Sequence, residues 1–352
     1  MRYPLFSYTY KNGKMEKGKL LGKSLDELKA IVSELGLPPF TAKQLADWLY
    51  RKKVVSIEQM TNISLQNRQK ISENFEIGVS LPEEVMESSD GTKKYLFKVN
   101  GNYIESVYIP EEGRATLCVS SQTGCKMNCL FCMTGKQGFL GNLSATDILN
   151  QIQSFPESDR LTNIVFMGMG EPFDNTNELL KVLEILASDY GYGWSPKRIT
   201  VSSIGILPGL KEFLQKSNCN LAISLHTPFS EERLSLMPVE KAFPIEEIVK
   251  EIKKQDFSGQ RRVSFEYILF KGINDKPSHV RGLVKLLSGL ECRINLIRFH
   301  SIPGVSLEGI SLSGMEKFRD QLIGKGIMTT IRKSRGEDIL AACGLLSTVR
   351  KK

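Results

Sequence analysis

Three cysteines, Cys125, Cys129 and Cys132, lie within eight residues in the run Gly124-Cys125-Lys126-Met127-Asn128-Cys129-Leu130-Phe131-Cys132. Thiolates at this CxxxCxxC spacing can wrap three irons of one 4Fe–4S cubane. Structural zinc ordinarily takes four protein ligands, and electron-transfer clusters take four cysteines. No fourth cysteine or histidine stands nearby in sequence. Three thiolates therefore leave one iron open, and an open iron can bind a reactant. Incidental clustering of three cysteines does not account for the spacing.

A second constellation is Met167-Gly168-Met169-Gly170-Glu171-Pro172, directly after the apolar run Asn163-Ile164-Val165-Phe166. Glycines there let backbone approach a ligand closely, and Glu171 can accept from an ammonium group. A plain turn between strand and helix would give the same short pattern, so position carries the argument. From residue 115 the chain repeats strand, loop, helix. Strands are expected near 115–120, 163–167, 198–202, 220–225, 262–269 and 293–299, with 327–332 as a seventh candidate. Helical stretches such as Glu178 to Ala187, Ile245 to Lys254 and Val280 to Leu287 intervene. This alternation predicts an α/β fold with a parallel sheet, either wound or closed into a partial barrel. Cys125, Gly170, Ser202, Ser224, His226 and His300 then all fall at the carboxyl ends of parallel strands, the edge where such folds gather their sites.

The elements upstream differ in kind. Residues 24–83 read as a small helical domain. Ser24-Leu25-Asp26-Glu27, Thr41-Ala42-Lys43-Gln44 and Ser56-Ile57-Glu58-Gln59 are capping boxes that each open a helix. Leu45, Trp48 and Leu49 are expected to form a buried stripe on the second. The module is expected to be an accessory RNA-binding domain that contributes contact rather than chemistry, though such a module can also merely pack. Residues 84–114 read as a β-meander linker, with Asp90-Gly91 and Asn100-Gly101 as turn signals. Residues 1–23, with six basic side chains and only Glu16 as an acid, are expected to be a flexible lead-in, with Met15 as a candidate initiator. The remainder, 115–352, is expected to be the main domain.

Composition sets bounds. The chain has 352 residues, 41% of them hydrophobic, and no apolar run long enough to span a membrane. Its start lacks a signal-peptide core, so a cytoplasmic location is expected, and seven cysteines there argue for reduced thiols. The net charge of +8 suits a nucleic-acid partner and equally suits a mildly basic enzyme surface.

Taken together, these motifs resemble the radical SAM (S-adenosylmethionine) superfamily, in which CxxxCxxC follows the first strand and a Gly-Glu motif follows the second. Arg114-Ala115-Thr116-Leu117-Cys118-Val119-Ser120-Ser121-Gln122-Thr123-Gly124-Cys125 is similar to the RlmN group of dual-specificity RNA methyltransferases. So are Phe131 to Phe139, Ser224-Leu225-His226 and Arg335 to Gly344, in the same order. The resemblance runs from about residue 24 to 350. It implies a partial (β/α)6 barrel, a 4Fe–4S cluster on Cys125, Cys129 and Cys132, and methylation of adenine carbon 2 in 23S rRNA and in tRNA beside the anticodon. By the family pattern Cys343 takes a methyl group from one SAM. A second SAM, on the open iron, is cleaved to a 5′-deoxyadenosyl radical that takes hydrogen from methyl-Cys343, and the resulting carbon radical adds to the base. Glu105 is the implied general base. Cys118 attacks the sulfur of Cys343, forming a transient disulfide and releasing product.

The same resemblance assigns Gly170, Glu171, Ser202, Ser224, Leu225, His226 and His300 to the SAM site. One departure stands out: the family often has asparagine where Arg298-Phe299-His300 ends. Imidazole can still donate or accept, so His300 is kept. Without the resemblance, Cys118 and Cys343 would read as small core residues and Glu105 as a solvent-facing strand carboxylate. Cys219 and Cys292 are assigned to packing or surface, and His279 to a helix surface. A reductant such as flavodoxin or ferredoxin is implied, with a monomeric protein. The rival readings are a Cfr-type enzyme acting on carbon 8 of the same rRNA adenine and a non-enzymatic iron–sulfur RNA-binding sensor.

Overall fold

The computed structural model describes residues 10–11, 14–15, 17–257 and 262–348. Residues 1–9, 12–13 and 16 of the expected lead-in therefore lie outside the described residues. The chain divides into two compact units. The first runs through Leu81 and takes in Ser144–Pro156 and Lys181–Trp194. The second comprises Pro82–Leu143, Glu157–Leu180 and the chain from Ser195 onward.

The first unit is helical. Ser24 caps α1 (Leu25–Glu34) as a full capping box, its hydroxyl accepting from Glu27 N–H while Glu27 accepts from Ser24 N–H. Leu28, Ile31 and Val32 of α1 are buried. The box expected at Thr41 does not form. Pro38 and Pro39 place Phe40 ahead of α2 (Thr41–Ala46), Thr41 N–H already donates to the Pro38 carbonyl, and Gln44 reaches Asn62 instead. The box at Ser56 forms but opens only a single three-residue turn, Ile57–Gln59. Leu45 and Leu49 are buried as expected, whereas Trp48 stays half-exposed, its indole N–H on Asn62 and Lys52 over its ring. Helix α3 (Leu65–Asn74) follows. Residues 18–21, expected within the flexible lead-in, belong to this unit instead: Gly18–Lys19 pairs parallel with Phe75–Glu76, and Leu20 and Leu21 are fully buried, so their apolar side chains anchor the segment.

The second unit is built on one ten-stranded sheet whose spatial order follows the chain. Three antiparallel strands, β1 (Glu84–Glu87), β2 (Lys93–Val99) and β3 (Asn102–Glu111), form the expected meander. It continues by antiparallel pairing of β3 onto β4 (Arg114–Cys118). Seven parallel strands complete the sheet: β4, β5 (Asn163–Phe166), β6 (Ile199–Ser203), β7 (Asn220–Ser224), β8 (Val263–Leu269), β9 (Arg293–Arg298) and β10 (Met328–Ile331).

Strand periodicity decides what each face does. On β8, Val263, Phe265 and Tyr267 are buried on one face, while Ser264 and Glu266 turn to the other and line a cavity. All seven parallel strands or their ends contribute to that cavity, with Arg114, Asn163, Thr200, Asn220, Arg293 and Thr330 among its walls. One cavity walled by seven successive strands means that the sheet curls. Because β4 pairs with β3 rather than with β10, the curl stays open. This is the expected partial barrel, and its lumen is polar.

Candidate functional site

The three clustered cysteines lie on the loop that leaves β4. A short strand, Gln122–Gly124, pairs antiparallel with Phe139–Asn142 and pins both ends of the loop. Gly124 has φ +77°, and a Cβ there would stand 1.8 Å from the Gly138 carbonyl oxygen, so only glycine fits. Within the loop, Cys132 N–H donates to the Cys129 carbonyl, and Leu130 N–H donates to the Leu236 carbonyl at 2.9 Å. Cys125, Cys129 and Cys132 line one cavity of about 150 Å³. Burial pushes the Cys125 thiol up to about 12 and Cys129 well above the usual thiol range, and the neighbouring cysteines add to both shifts.

The rest of that cavity comes from the carboxyl ends of successive strands: Gly170 and Glu171 after β5, Ser202 on β6, Ser224 on β7 and His226 just beyond it. Gly170 adopts φ +99°, and a side chain there would strike Gln122 Cβ at 2.5 Å. Glu171 is fully engaged from below. Its carboxylate accepts from Phe173 N–H, Ile204 N–H and the Ser203 hydroxyl at 2.6–3.0 Å. Burial nevertheless raises it to about 7. His226 holds φ +58°, and its Nδ1 accepts from Ile268 N–H at 3.0 Å, so the neutral ring carries its proton on Nε2. Burial, then the nearby Arg233 cation, lowers it to about 3.

Arg233 is the largest fully buried side chain among the described residues. It stands on α8 (Ser230–Leu236), the eighth helix after α4 (Met133–Gln137), α5 (Ala145–Gln153), α6 (Thr176–Ala187) and α7 (Leu207–Lys216). Its Nη2 donates to the carbonyls of Ile204 and Ser224 at 2.9 and 3.0 Å, its Nε to that of Leu225, and its Nη1 pairs with Glu240. The helix it anchors ends at Leu236, the acceptor of Leu130 N–H. One guanidinium thus fastens the cysteine loop to the ends of β6 and β7.

A second cavity, about 300 Å³, adjoins the first. Cys118, at the end of β4, and Cys343 both line it, and Cys343 also lines the cysteine-loop cavity. Cys118 is raised to about 12, first by burial and then by the proximity of Cys343, against a Met167 N–H donor and the Arg332 cation. Cys343 is open to the cavity yet closely surrounded by protein, which raises its thiol, with Arg332 opposing. Arg332 Nη1 is held 3.2 Å from Glu266 Oε2.

The segment bearing Cys343 is irregular and is tied down along its length. Gly336 N–H donates to Asp90, Asp338 accepts from the Ser88 hydroxyl and Ser89 N–H, and the Gly344 and Leu346 carbonyls accept from Met133 N–H and the Thr134 hydroxyl. Burial works against the Asp90 carboxylate, but donors from Thr92, Gly336 and Ser88 hold it down to about 2. Glu105 is buried rather than solvent-facing. Its Oε1 lies 3.0 Å from Lys94 Nζ, and its Oε2 accepts from Ser347 N–H at 3.0 Å. Burial raises it and Lys94 opposes the rise.

The residues expected at the site divide as follows. Cys125, Cys129, Cys132, Gly170, Glu171, Ser202, Ser224 and His226 share one cavity. Cys118 and Cys343 share the other, and Cys132 and Cys343 line both. Leu225, Glu105 and His300 line neither. Leu225 is fully buried, and His300 Nε2 lies 2.7 Å from the Ser334 hydroxyl. His279, expected on a helix surface, is buried in the first turn of α10 (Pro277–Leu287), after α9 (Ile245–Ile252). Its Nδ1 accepts from Lys276 N–H and its Nε2 meets Glu232 at 2.8 Å, so it caps the helix from inside. Lys94, Arg233, Arg332 and Asp90 were not singled out from sequence. Only Asp90 carried a signal, as a turn residue.

The donor set fits an iron–sulfur cubane. Among the described residues no three Cys, His, Asp or Glu groups converge tightly enough for a single ion. A cubane does not ask for that, since each thiolate takes a different iron. Buried thiols with raised pKa values would stay protonated alone, and iron binding would hold them as thiolates.

Comparison with known proteins agrees with this geometry. The family profile described as "Radical SAM superfamily" matches residues 119–284, and "Ribosomal RNA large subunit methyltransferase N-terminal domain" matches residues 19–77. The "Probable dual-specificity RNA methyltransferase RlmN" of Parabacteroides distasonis is 62% identical over 337 residues, covering 96% of this chain and 98% of the relative. The "Dual-specificity RNA methyltransferase RlmN" of Syntrophus aciditrophicus is 39% identical over 340 residues, covering 95% and 97%. A crystal structure of a radical SAM methyltransferase from Sphaerobacter thermophilus superimposes with a TM-score of 0.87 at 35% identity, over 94% of this chain and 99% of that one. No helix among the described residues is long and apolar enough to cross a membrane. The chain belongs to the RlmN family of dual-specificity RNA methyltransferases, within the radical SAM superfamily whose members use a 4Fe–4S cluster and SAM.

Proposed function

We propose that this chain methylates carbon 2 of adenine, in 23S rRNA at the peptidyl-transferase centre and in tRNA at the adenine 3′ of the anticodon, consuming two SAM molecules per turnover. The observation that carries the reading is that Cys343 borders both cavities, with Cys125 and Cys129 in one, Cys118 in the other, and Cys132 beside Cys343 in both. The relatives' names supply the RNA substrate class. Carbon 2 is electron-poor and will not attack a methylsulfonium directly, so the methyl group must travel by another route.

Bound at Cys125, Cys129 and Cys132, the cluster supplies the electron that cleaves SAM reductively. The chain's own residues handle the methyl group and the protons. Cys343 Sγ carries the methyl group and can be reached from the SAM side and from the RNA side. Glu105 receives the proton released when the base–protein adduct breaks down. Lys94 and Ser347 N–H favour its ionised form against the burial that raises it. Its side chain shares a face of β3 with Val107, the ladder partner of Cys118. Cys118 Sγ, within the Met167 N–H donor and the Arg332 field, attacks Cys343 Sγ. The S–S bond forms as the bond from Cys343 Sγ to the carbon attached to the base breaks, and that carbon takes up a proton to become the methyl group.

A denaturing gel after anaerobic reaction with labelled RNA tests the order of these events. Cys118→Ala should accumulate a covalent protein–RNA band, and Cys343→Ala should leave free, unmodified RNA. Normal turnover by either variant, or a shifted band with Cys343→Ala, overturns the proposal. Mass mapping of the product assigns the carbon: a methyl group at carbon 8 instead of carbon 2 would favour the Cfr-type reaction.

A further inference from the structure

The lumen continues below the thiols, toward the amino-terminal ends of the strands, as a third cavity of about 330 Å³. Arg114, Val165, Met167 and Arg332 line both this cavity and the one that holds Cys118 and Cys343, so the two are continuous. Closed eight-stranded barrels fill such space with branched apolar side chains. In this open barrel hydroxyls, amides and cations predominate, with Val165, Met167 and Leu221 the apolar members of the wall.

The charges do not cancel. Arg114, Lys197, Arg262 and Arg293 converge on the floor, and the single acid on the walls is Glu266. Glu266 is already engaged. Arg332 and Asn295 donate to its two oxygens at 3.2 and 2.8 Å, and the Ser264 hydroxyl adds a third bond. Among the described residues, no carboxylate lies within ion-pair reach of Lys197, Arg262, Arg293 or Arg114. Uncompensated cations around one concave space focus a positive potential there and favour an anion.

The floor is also built, not merely charged. Asn220, the first residue of β7, donates through Nδ2 to the Lys197 carbonyl at 2.8 Å and accepts at Oδ1 from Arg262 N–H at 3.1 Å. Its amide thereby fixes the backbone under two cations that come from different loops. Arg293 is carried by β9 itself, in register with Ser264. Arg114 Nε is steadied by the Thr116 hydroxyl at 3.1 Å. Strand pleating puts Arg114, Thr116 and Cys118 on one face of β4, so a single ligand strand could run from the floor to the thiols.

We infer that Lys197, Arg262 and Arg293 form a phosphate site on the floor of the lumen, holding a backbone phosphodiester of the RNA whose adenine reaches Cys343. This rests on the RNA methyltransferase reading and names where the substrate backbone is held. Arginine guanidinium forks and a lysine ammonium are the donors that phosphate recognition uses. The site reads no sequence, which suits an enzyme that takes its base from two different RNAs.

The test is RNA affinity at several salt concentrations, measured on the reconstituted protein carrying Lys197→Gln, Arg262→Gln and Arg293→Gln together. Losing phosphate contacts should weaken binding of a single-stranded, adenine-containing RNA about 10-fold and flatten the log–log salt slope by about 1 to 2. Reductive cleavage of SAM without RNA should stay at the wild-type rate, which shows that fold and cluster survive. The charge-retaining triple variant, Lys197→Arg with Arg262→Lys and Arg293→Lys, should keep most of the affinity. If the glutamine triple loses SAM cleavage, the exposed single changes Lys197→Gln and Arg262→Gln are read instead, each with a smaller loss of affinity. Wild-type RNA affinity and slope in these variants overturn the inference. Inorganic phosphate forms the second arm. If it binds the wild type and not the triple variant while RNA affinity is unchanged, the floor takes free phosphate and the RNA assignment fails. The Cys118→Ala adduct stands apart from either result, so failure here leaves the proposed reaction intact.

Discussion

The two ends of one lumen treat charge in opposite ways. At the carboxyl edge the cations have partners: buried Arg233 has Glu240 and three carbonyls, half-buried Arg332 has Glu266, and buried Lys94 has Glu105. His226 is held neutral there. At the amino-terminal floor Lys197 and Arg262 remain exposed and Arg293 half-buried, without carboxylates. An edge with its charges cancelled suits chemistry that needs fixed electrostatics, because paired groups in low dielectric are held by interactions too strong to rearrange. A wet, charged floor suits binding that must be reversible and sequence-independent. The comparison predicts that edge variants lose chemistry and stability, whereas floor variants lose affinity.

The largest effect belongs to the cluster ligands. Cys125→Ala, Cys129→Ala and Cys132→Ala should each abolish the visible absorbance of the reconstituted cluster and all methylation, with RNA affinity little changed. A stoichiometric cluster with full activity in any one of them would break the assignment, because only three ligands serve four irons. Next comes the Arg233–Glu240 pair. Arg233→Met leaves the buried Glu240 carboxylate without its cation and three strand-end carbonyls without the guanidinium, and removing one partner of such a pair costs about 3–5 kcal/mol. Chemical denaturation should show that loss. The double variant Arg233→Met, Glu240→Leu should recover a large part of it, and no recovery would mean that the carbonyl contacts dominate. Lys94→Met comes third. It isolates Glu105 from its cation and should raise the carboxyl further, moving the alkaline rise of the methylation rate to higher pH. An unmoved pH profile would separate Glu105 from the proton transfer.

How far the sequence foretold this depended on the range of the signal. Alternating strands and helices, hairpin turns and the cysteine spacing are local patterns, and each appears where the periodicity placed it. The capping box at Thr41 failed because Pro38 and Pro39, just upstream, changed the entry of the chain. His279 was misplaced because a histidine in a helix gives no local sign of the Glu232 and Phe229 side chains waiting for it. Arg233 and Lys94 stayed invisible for the same reason: a buried cation looks like a surface cation until its partner is known. The thiols and the strand-end residues were legible as types. That Cys343 borders two cavities was not, because its segment has no regular structure and is positioned by Asp90, Met133 and Thr134 far away in the chain.

The smallest effect is the most diagnostic of the burial around His226. His226 sits near 3 in the folded protein and near 6.5 unfolded. Below pH 6.5 the unfolded chain therefore binds a proton that the folded chain refuses. Linkage then makes the neutral histidine's contribution complete above pH 6.5, with progressive loss as pH falls toward 3. Between pH 7.5 and 5.5 that loss amounts to about 1.4 kcal/mol. His226→Asn is the control of choice, because asparagine tolerates the positive φ and its side-chain oxygen can accept from Ile268 N–H. The asparagine variant should start less stable at pH 7.5, having lost the edge contact of the ring with Phe131, whose centroid lies 4.7 Å away. Its deficit should then shrink by about 1.4 kcal/mol at pH 5.5. Urea denaturation of the two reconstituted proteins at both pH values decides it, with His279 and His300 common to both and cancelling in the difference. Parallel stability curves would mean that His226 takes up a proton freely when folded, and that water reaches the edge.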